Sequence, residues 1–310
     1  MWAAAAGVAG GLLLAARLPA WLRGTGVPLL LPVLLWQAPR PPSGEFQLVA
    51  ADVGQGNAVL VRTANHTLVY DSGPGYSRET DAGQRVLVPL LRALGDQVDV
   101  LVLSHRDSDH TGGAAAVLRM QPQARLLSSL EDGHPLQALR PSQRCQAGQA
   151  WEWDGVRFEV LHPAPADYGA ALRPNAMSCV LRVGNGRVHA LLAGDIEKAQ
   201  EVRLAGQPQA LRADWLLVPH HGSRTSSSDA FLDAVAPALA VAQAGYRNRF
   251  GHPAAEVAQR YAARAIPLWA SPACGALTWG SEAPAAVRCE RLAAPRYWHH
   301  PVAAASGNGA

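Results

Sequence analysis

From residue 46 onward the chain is written in short apolar runs broken by turn residues, a spacing that suits strands better than long helices. Runs at 46–52 (FQLVAAD), 58–62, 66–70 and 98–103 predict strands, with helical stretches near 85–94 and 112–119. The second half repeats the texture. Strands are expected at 156–161, 178–183, 187–193, 214–218, 238–242 and 267–270, and helices at 196–204, 228–235 and 253–264. Two strand-rich halves, each with its own helices, imply a layered α/β architecture in which two sheets pack face to face with helices outside.

The first 40 residues read differently. Stretches 2–16 and 27–36 are almost free of polar side chains, though each is shorter than the about 20 residues of a comfortable membrane span. No positive charge precedes the first stretch as in a signal peptide, and Arg17 and Arg23 separate the two. The tail of a membrane domain is the expectation. Arg17, Arg23 and Arg40 flank the second stretch on both sides, so basic residues assign it no orientation. The run APRPPSGE at 38–45 disfavours helix and marks a boundary. The organisation expected is a membrane-associated segment over 1–40, one soluble domain over 41–293, and a tail over 294–310. That tail loses periodicity and ends in Gly, Ala and Ser, so disorder is expected there.

At 310 residues with 49% hydrophobic content, the chain can bury a sizeable core. Lys198 is its only lysine, so basicity rests on arginine, which can grip phosphate bidentately. A net charge of +3 does not by itself argue for nucleic acid. Cys145, Cys179, Cys274 and Cys289 form no CxxC pair, which excludes a zinc ribbon. Their positions on or beside predicted strands suggest the pairs Cys145–Cys179 and Cys274–Cys289, which would imply an oxidising compartment. The alternative is four small buried hydrophobes.

The densest chemistry sits at 104–113 (SHRDSDHTGG), which follows an apolar strand and precedes a helix-like AAAVL, placing it at a strand's carboxyl end. His105, Asp107, Asp109 and His110 offer nitrogen and oxygen donors suited to divalent cations. Two aspartates this close repel in a partly buried loop, and a cation reverses the sign of that cost.

The loop resembles the HxHxDH signature of the metallo-β-lactamase superfamily, with Asp107 at the second histidine. Asp71-Ser72-Gly73 resembles the motif whose aspartate supports the metal loop from behind. Ala193-Gly194-Asp195 resembles the motif whose aspartate bridges two metals, and Pro219-His220-His221-Gly222-Ser223 the last histidine motif. The HxDxDH variant, the opening Asp52-Val53-Gly54-Gln55-Gly56, and Asn248-Arg249-Phe250-Gly251-His252-Pro253 narrow it to the C-terminal domain of the ComEC family of DNA-internalisation competence proteins, over about 46–290. Two departures stand out. Asn57 sits where that family usually reads aspartate, and the ligand histidine between the second and fourth motifs is absent, with Asn175 and Ser178 the nearest polar candidates.

The resemblance implies an αββα sandwich holding two divalent ions. One would take His105 and Asp107, the other Asp109, His110 and a histidine from 220 or 221, with Asp195 between them. His221 is favoured as ligand because it occupies the His of the superfamily's Pro-Gly-His-Gly turn, leaving His220 as a proton donor or supporting group. Asp109, His220 and His252 are the catalytic candidates, and Ser223, Arg224 and Asn248 the substrate-binding ones. Carboxylate-rich ligation favours manganese over zinc.

Such a pair of ions can activate water and hold phosphate oxygens, so the leading expectation is a deoxyribonuclease degrading one strand of incoming DNA, single-stranded DNA being the preferred partner. The resemblance places it with the competence DNA-uptake machinery at a bacterial inner membrane, soluble part on the extracytoplasmic face. Two alternatives stay open: a hydrolase of a small ester or phosphoester, and a catalytically silent DNA-binding module of the channel. His66, His134, His162 and His189 stand alone and are expected to be structural, and His299 and His300 are set aside with the tail. Trp36, Trp151, Trp153, Trp215 and Trp298 could stack bases, but Trp151 and Trp153 alternate as in a packed strand.

Overall fold

The computed structural model describes residues 2–300; the remainder of the expected disordered tail, 301–310, lies outside the described residues. The chain divides into two compact units, one running up to Pro39 with Ala93–Gly95 and the other comprising Arg40–Arg92 and the chain from Asp96 onward.

The larger unit contains two sheets. The first holds β1 (Gln47–Ala50), β2 (Val59–Arg62), β3 (Thr67–Tyr70), β4 (Val100–Leu103), β5 (Arg125–Ser128) and β6 (Ser142–Arg144). The second holds β7 (Ala150–Trp153), β8 (Val156–His162), β9 (Val180–Gly184), β10 (His189–Leu192), β11 (Trp215–Leu217), β12 (Leu239–Ala242) and β13 (Leu268–Ala270). The last two strands, β14 (Leu277–Gly280) and β15 (Val287–Cys289), return to the first sheet, giving the order β15-β14-β1-β2-β3-β4-β5-β6. The order of the second is β13-β12-β11-β10-β9-β8-β7.

Side-chain alternation explains the layering. On β10, Ala190 and Leu192 join a core shared with Leu48, Val59, Leu68 and Val102 of the first sheet, while Leu191 points the other way. Trp215 and Leu217 of β11 and Leu239 and Val241 of β12 repeat the inward set. Their neighbours Leu216, Ala240 and Ala242 pack outward with Phe231, Leu232 and Val235 of helix Asp229–Val235 and Val257 and Tyr261 of helix Ala255–Ala263. A period of two thus feeds a sheet-on-sheet core on one face and a sheet-on-helix core on the other. Trp151 and Trp153 pack around Phe158, so they are core-facing strand residues.

Strands β3 to β6 run parallel, as do β10 to β13. The carboxyl ends of β3, β4, β10, β11 and β12 supply the loops of the centre described below, the usual place for sites in such sheets.

Cys145 pairs with Cys179 and Cys274 with Cys289, as expected, and no free cysteine is found among the described residues. Cys145 follows β6 and Cys179 precedes β9, so that pair joins the two sheets. Residues 294–300 of the expected disordered tail are described, and within them His300 stacks on Tyr246 and bonds the Pro272 carbonyl.

In the smaller unit, helices Trp2–Ala15 and Gly26–Leu34 lie against each other through glycine. A Cβ on Gly10 would sit 2.6 Å from the Gly26 carbonyl oxygen, so only hydrogen allows this approach. No helix among the described residues is long and apolar enough to cross a membrane. Trp2, Val8, Leu12, Trp21, Leu34 and Trp36 of this unit are exposed.

Candidate metal centre

Five strand ends converge because glycines let their loops touch. A Cβ on Gly113 would lie 2.3 Å from the Gly83 nitrogen and 2.3 Å from the Ser72 carbonyl oxygen, and one on Gly56 would lie 2.3 Å from the Asp109 carbonyl oxygen. The tight packing locks Ser104–His110 behind Asp71, the residue that follows β3. Asp71, His220 and His221 adopt φ of 57°, 50° and 54°, left-handed backbone that costs non-glycine residues about 1–3 kcal/mol each. For the two histidines this strain turns adjacent side chains toward the same centre at the end of β11.

Asp195 is the hub. Its Oδ2 lies 3.2 Å from His110 Nε2, 3.5 Å from His221 Nε2 and 3.7 Å from His220 Nε2. Asp109 Oδ2 approaches His221 Nε2 to 3.3 Å and His110 Nε2 to 3.9 Å. His105 Nε2 lies 3.5 Å from Asp107 Oδ2, and its ring is centred 4.2 Å from that of His110. Asp107 is half-exposed, whereas His105, His110, His221 and Asp195 are buried.

Each buried histidine is held by its other nitrogen. His110 Nδ1 faces Asp71 Oδ2 at 2.7 Å, and His221 Nδ1 faces the Gln243 carbonyl at 2.8 Å. His105 Nδ1 has Ser104 Oγ at 3.0 Å and Ser178 Oγ at 3.4 Å. Asp71 also accepts from the Ser104 amide and hydroxyl at 2.7 and 2.8 Å. With Nδ1 engaged, Nε2 of all three faces inward, the arrangement in which outer partners orient metal-ligating imidazoles.

Nε2 of His105, His110 and His221, and Oδ1 of Asp195, are buried without a hydrogen-bond partner among the described residues. Orphaned polar atoms are costly, and those of His110, His221 and Asp195, which lie together, fit a cation. Ligand atoms of Asp109, His110, Asp195 and His221 all lie within 4.8 Å of one another and could hold a metal ion. The charges agree. Burial opposes protonation of His110, but the carboxylates of Asp195 and Asp71 outweigh it and raise its pKa well above the ordinary histidine value. Burial likewise opposes ionisation of Asp195, yet His110 and His221 hold its carboxyl well below the ordinary carboxylate range. The cluster therefore demands positive charge at its centre, which a divalent ion supplies as readily as protons do.

The other expected residues divide. Ser178 bonds the Asp195 amide at 3.0 Å as well as facing His105, and Asn175 Nδ2 lies 3.5 Å from His220 Nε2, so both stand beside the cluster. His252 stacks between His221 and Phe250, its pKa lowered to about 4 by burial and by His221 and His220. Of the three substrate-binding candidates, Asn248 lines the cleft at Asp109. Asn248 spends its amide inside its own loop, on the Gly245 and His252 backbone. Ser223 bonds Thr225. Arg224 is exposed and lines neither the cleft at Asp109 nor the one at His105.

Sequence reading missed Ser104 and Gln243. Besides presenting its carbonyl to His221, Gln243 ties the Ala51 and Ala58 backbone to the end of β12 with its amide. Ser104 precedes the motif and could have been weighed with it, whereas nothing near Gln243 in sequence points to His221. Asn57 is fully buried and neither side-chain polar atom finds a partner among the described residues.

Comparison with known proteins agrees with this geometry. The model of the metallo-beta-lactamase superfamily matches residues 51–245. Competence protein ComA of Neisseria gonorrhoeae is 40% identical over 261 residues, 84% of this chain and 36% of that protein. ComE operon protein 3 of Bacillus subtilis is 31% identical over 240 residues, 70% of this chain and 30% of that protein. The chain thus spans about a third of the length of these relatives. Among solved structures, a mutant of the β-hydroxylase CmlA superposes with a TM-score of 0.52 at 11% identity, covering 87% of this chain and 61% of that one, a likeness of fold alone. With its strand-end cluster of aspartates and histidines and its two helix-covered mixed sheets, the chain belongs to the metallo-β-lactamase superfamily.

Proposed function

We propose that the chain is a metal-dependent phosphodiesterase, a deoxyribonuclease that degrades one strand of DNA during uptake. The observation that carries the chemistry is the convergence of the unpaired Nε2 atoms of His110 and His221 on Asp195, with Asp107 and Asp109 at the mouth. Asp109, His110, Asp195 and His221 would hold one ion, and His105 and Asp107 a second, with Asp195 serving both. Bound divalent cations supply a water acidic enough to attack at neutral pH and offset the charge on the phosphate oxygens. Manganese is favoured over zinc because hard carboxylate oxygens make up so much of the donor set.

The chain's own residues do the rest. Asp71 and Gln243 fix the imidazole tautomers, and Ser104 and Ser178 hold His105 from behind. His220, 3.7 Å from Asp195 and bonded through Nδ1 to Thr225, stands where it can pass a proton to the departing oxygen. DNA as substrate draws its support from the similarity to competence proteins, and so does attachment to an uptake channel at the bacterial inner membrane. The exposed apolar residues of the first unit support a membrane setting, and the two cysteine pairs support the extracytoplasmic face.

A metal-screened nuclease assay on the full chain tests the proposal. Loss of single-stranded DNA should require added manganese or zinc and vanish with chelator. Intact DNA under every divalent ion would reject it.

A further inference from the structure

Asp107 and Asp109 open onto a cleft of about 820 Å³ whose far wall is not acidic. Tyr76, Tyr246 and Phe250 line it and are 42%, 48% and 54% exposed. Single exposed aromatics are ordinary on protein surfaces. Three around one cleft at a metal centre are not, and each carries a guanidinium. Arg85 sits 5.8 Å from the centre of the Tyr76 ring, Arg247 5.2 Å from that of Tyr246, and Arg249 4.8 Å from that of Phe250. Among the described residues none of these arginines makes an ion pair or a side-chain hydrogen bond, so each guanidinium is engaged by its ring alone.

The rings are held in place. Tyr76 donates its hydroxyl to the Val53 carbonyl at 3.0 Å, His300 stacks on Tyr246 at 3.7 Å, and Phe250 stacks on His252 at 5.6 Å. A rigid aromatic surface loses little entropy when a ligand lands on it. Alternating aromatic rings and arginines without an anionic partner match the alternation of base and phosphate in an unpaired strand, and every base offers a face to stack. A duplex hides those faces. We propose that this cleft is a stacking rail for single-stranded DNA, with the three arginines turning from the rings to phosphates and bases taking the ring faces they leave. It rests on the phosphodiesterase reading only for the choice of DNA.

The test measures binding of a fluorescein-labelled oligothymidylate to the full chain in EDTA, so that cleavage does not interfere. Tyr246→Ala with Phe250→Ala should weaken binding roughly 10-fold or more without changing its salt dependence. Arg247→Ala with Arg249→Ala should weaken it and also flatten the salt dependence, by roughly one released ion per arginine. Phe250→Tyr, which keeps the stacking face, should bind like wild type. Unlabelled single strand should displace the probe, and duplex of the same composition should displace it at least 10-fold less well. Unchanged affinity in both double variants, or equal competition by duplex, overturns the rail. Hydrolysis of bis(p-nitrophenyl) phosphate by the wild-type chain, measured separately with manganese, addresses the phosphodiesterase reading. A chain that hydrolyses it while both double variants keep their affinity has lost the rail alone. A chain that fails to hydrolyse it while the variants lose affinity keeps the rail.

Discussion

Asp195 faces three imidazole nitrogens with one carboxylate and leaves its other oxygen unbonded. An amide there carries no charge to set against cations, so Asp195→Asn should abolish hydrolysis and lower metal content measured by mass spectrometry, while the fold survives. Retention of half the wild-type activity would contradict the assignment. Asp71 acts one layer back, accepting from His110 and Ser104. Asp71→Ala should weaken metal binding roughly 10–100-fold in a titration. It should also cost about 1–3 kcal/mol in denaturant unfolding, because buried donors lose their acceptor. Asp107→His swaps a hard oxygen for a borderline nitrogen, so the ratio of zinc to manganese affinity should rise; an unchanged ratio would mean that Asp107 touches no metal. At this scale the sequence was readable wherever neighbouring residues act together, as in His105 to His110. It was silent wherever the partner comes from another strand, as with Gln243 and His221. Nor did the sequence reveal that Asn248 bonds the backbone of its own loop or that Arg224 lines neither cleft.

Strands with a strong apolar pattern, such as β4, β10 and β12, were legible because burial on both faces leaves little else for them to be. β6, with the sequence SQR and partly exposed, carries no such pattern and exists because β5 lends it a parallel edge. β14 and β15 are short and were missed for the same reason: pairing with β1, more than 200 residues away, makes β14 a strand, and β14 then supplies the edge for β15. The glycine contacts beneath the metal loop were invisible too, since a glycine in sequence does not reveal what it approaches. Gly113→Ala should destabilise the domain by about 1–3 kcal/mol, because its Cβ would meet backbone atoms that cannot move aside. The Cys145–Cys179 pair closes a 34-residue separation, worth roughly 3–4 kcal/mol in loop entropy. Mass spectrometry without reductant should find it intact in protein made in the periplasm, and free thiols at both positions would weaken the extracytoplasmic placement.

At the scale of the whole molecule, two sheets that share a core bring five strand ends to one edge, and the result is a cluster of carboxylates and imidazoles that could hold a metal ion. The two-layer architecture followed from strand-rich halves in the sequence, but the meeting of β3, β4, β10, β11 and β12 at a single centre needed the fold. An ion held by the native chain and not by the unfolded one stabilises the fold, so manganese at 100 times its dissociation constant should add about 2.7 kcal/mol of stability. The most direct measurement of the central claim is hydrolysis of bis(p-nitrophenyl) phosphate by chelator-stripped full chain as manganese is titrated back, with bound metal counted in the same samples. Activity should be absent in the stripped protein and rise with occupancy of the cluster. Full occupancy with no hydrolysis at any manganese or zinc concentration would contradict a phosphodiesterase centre.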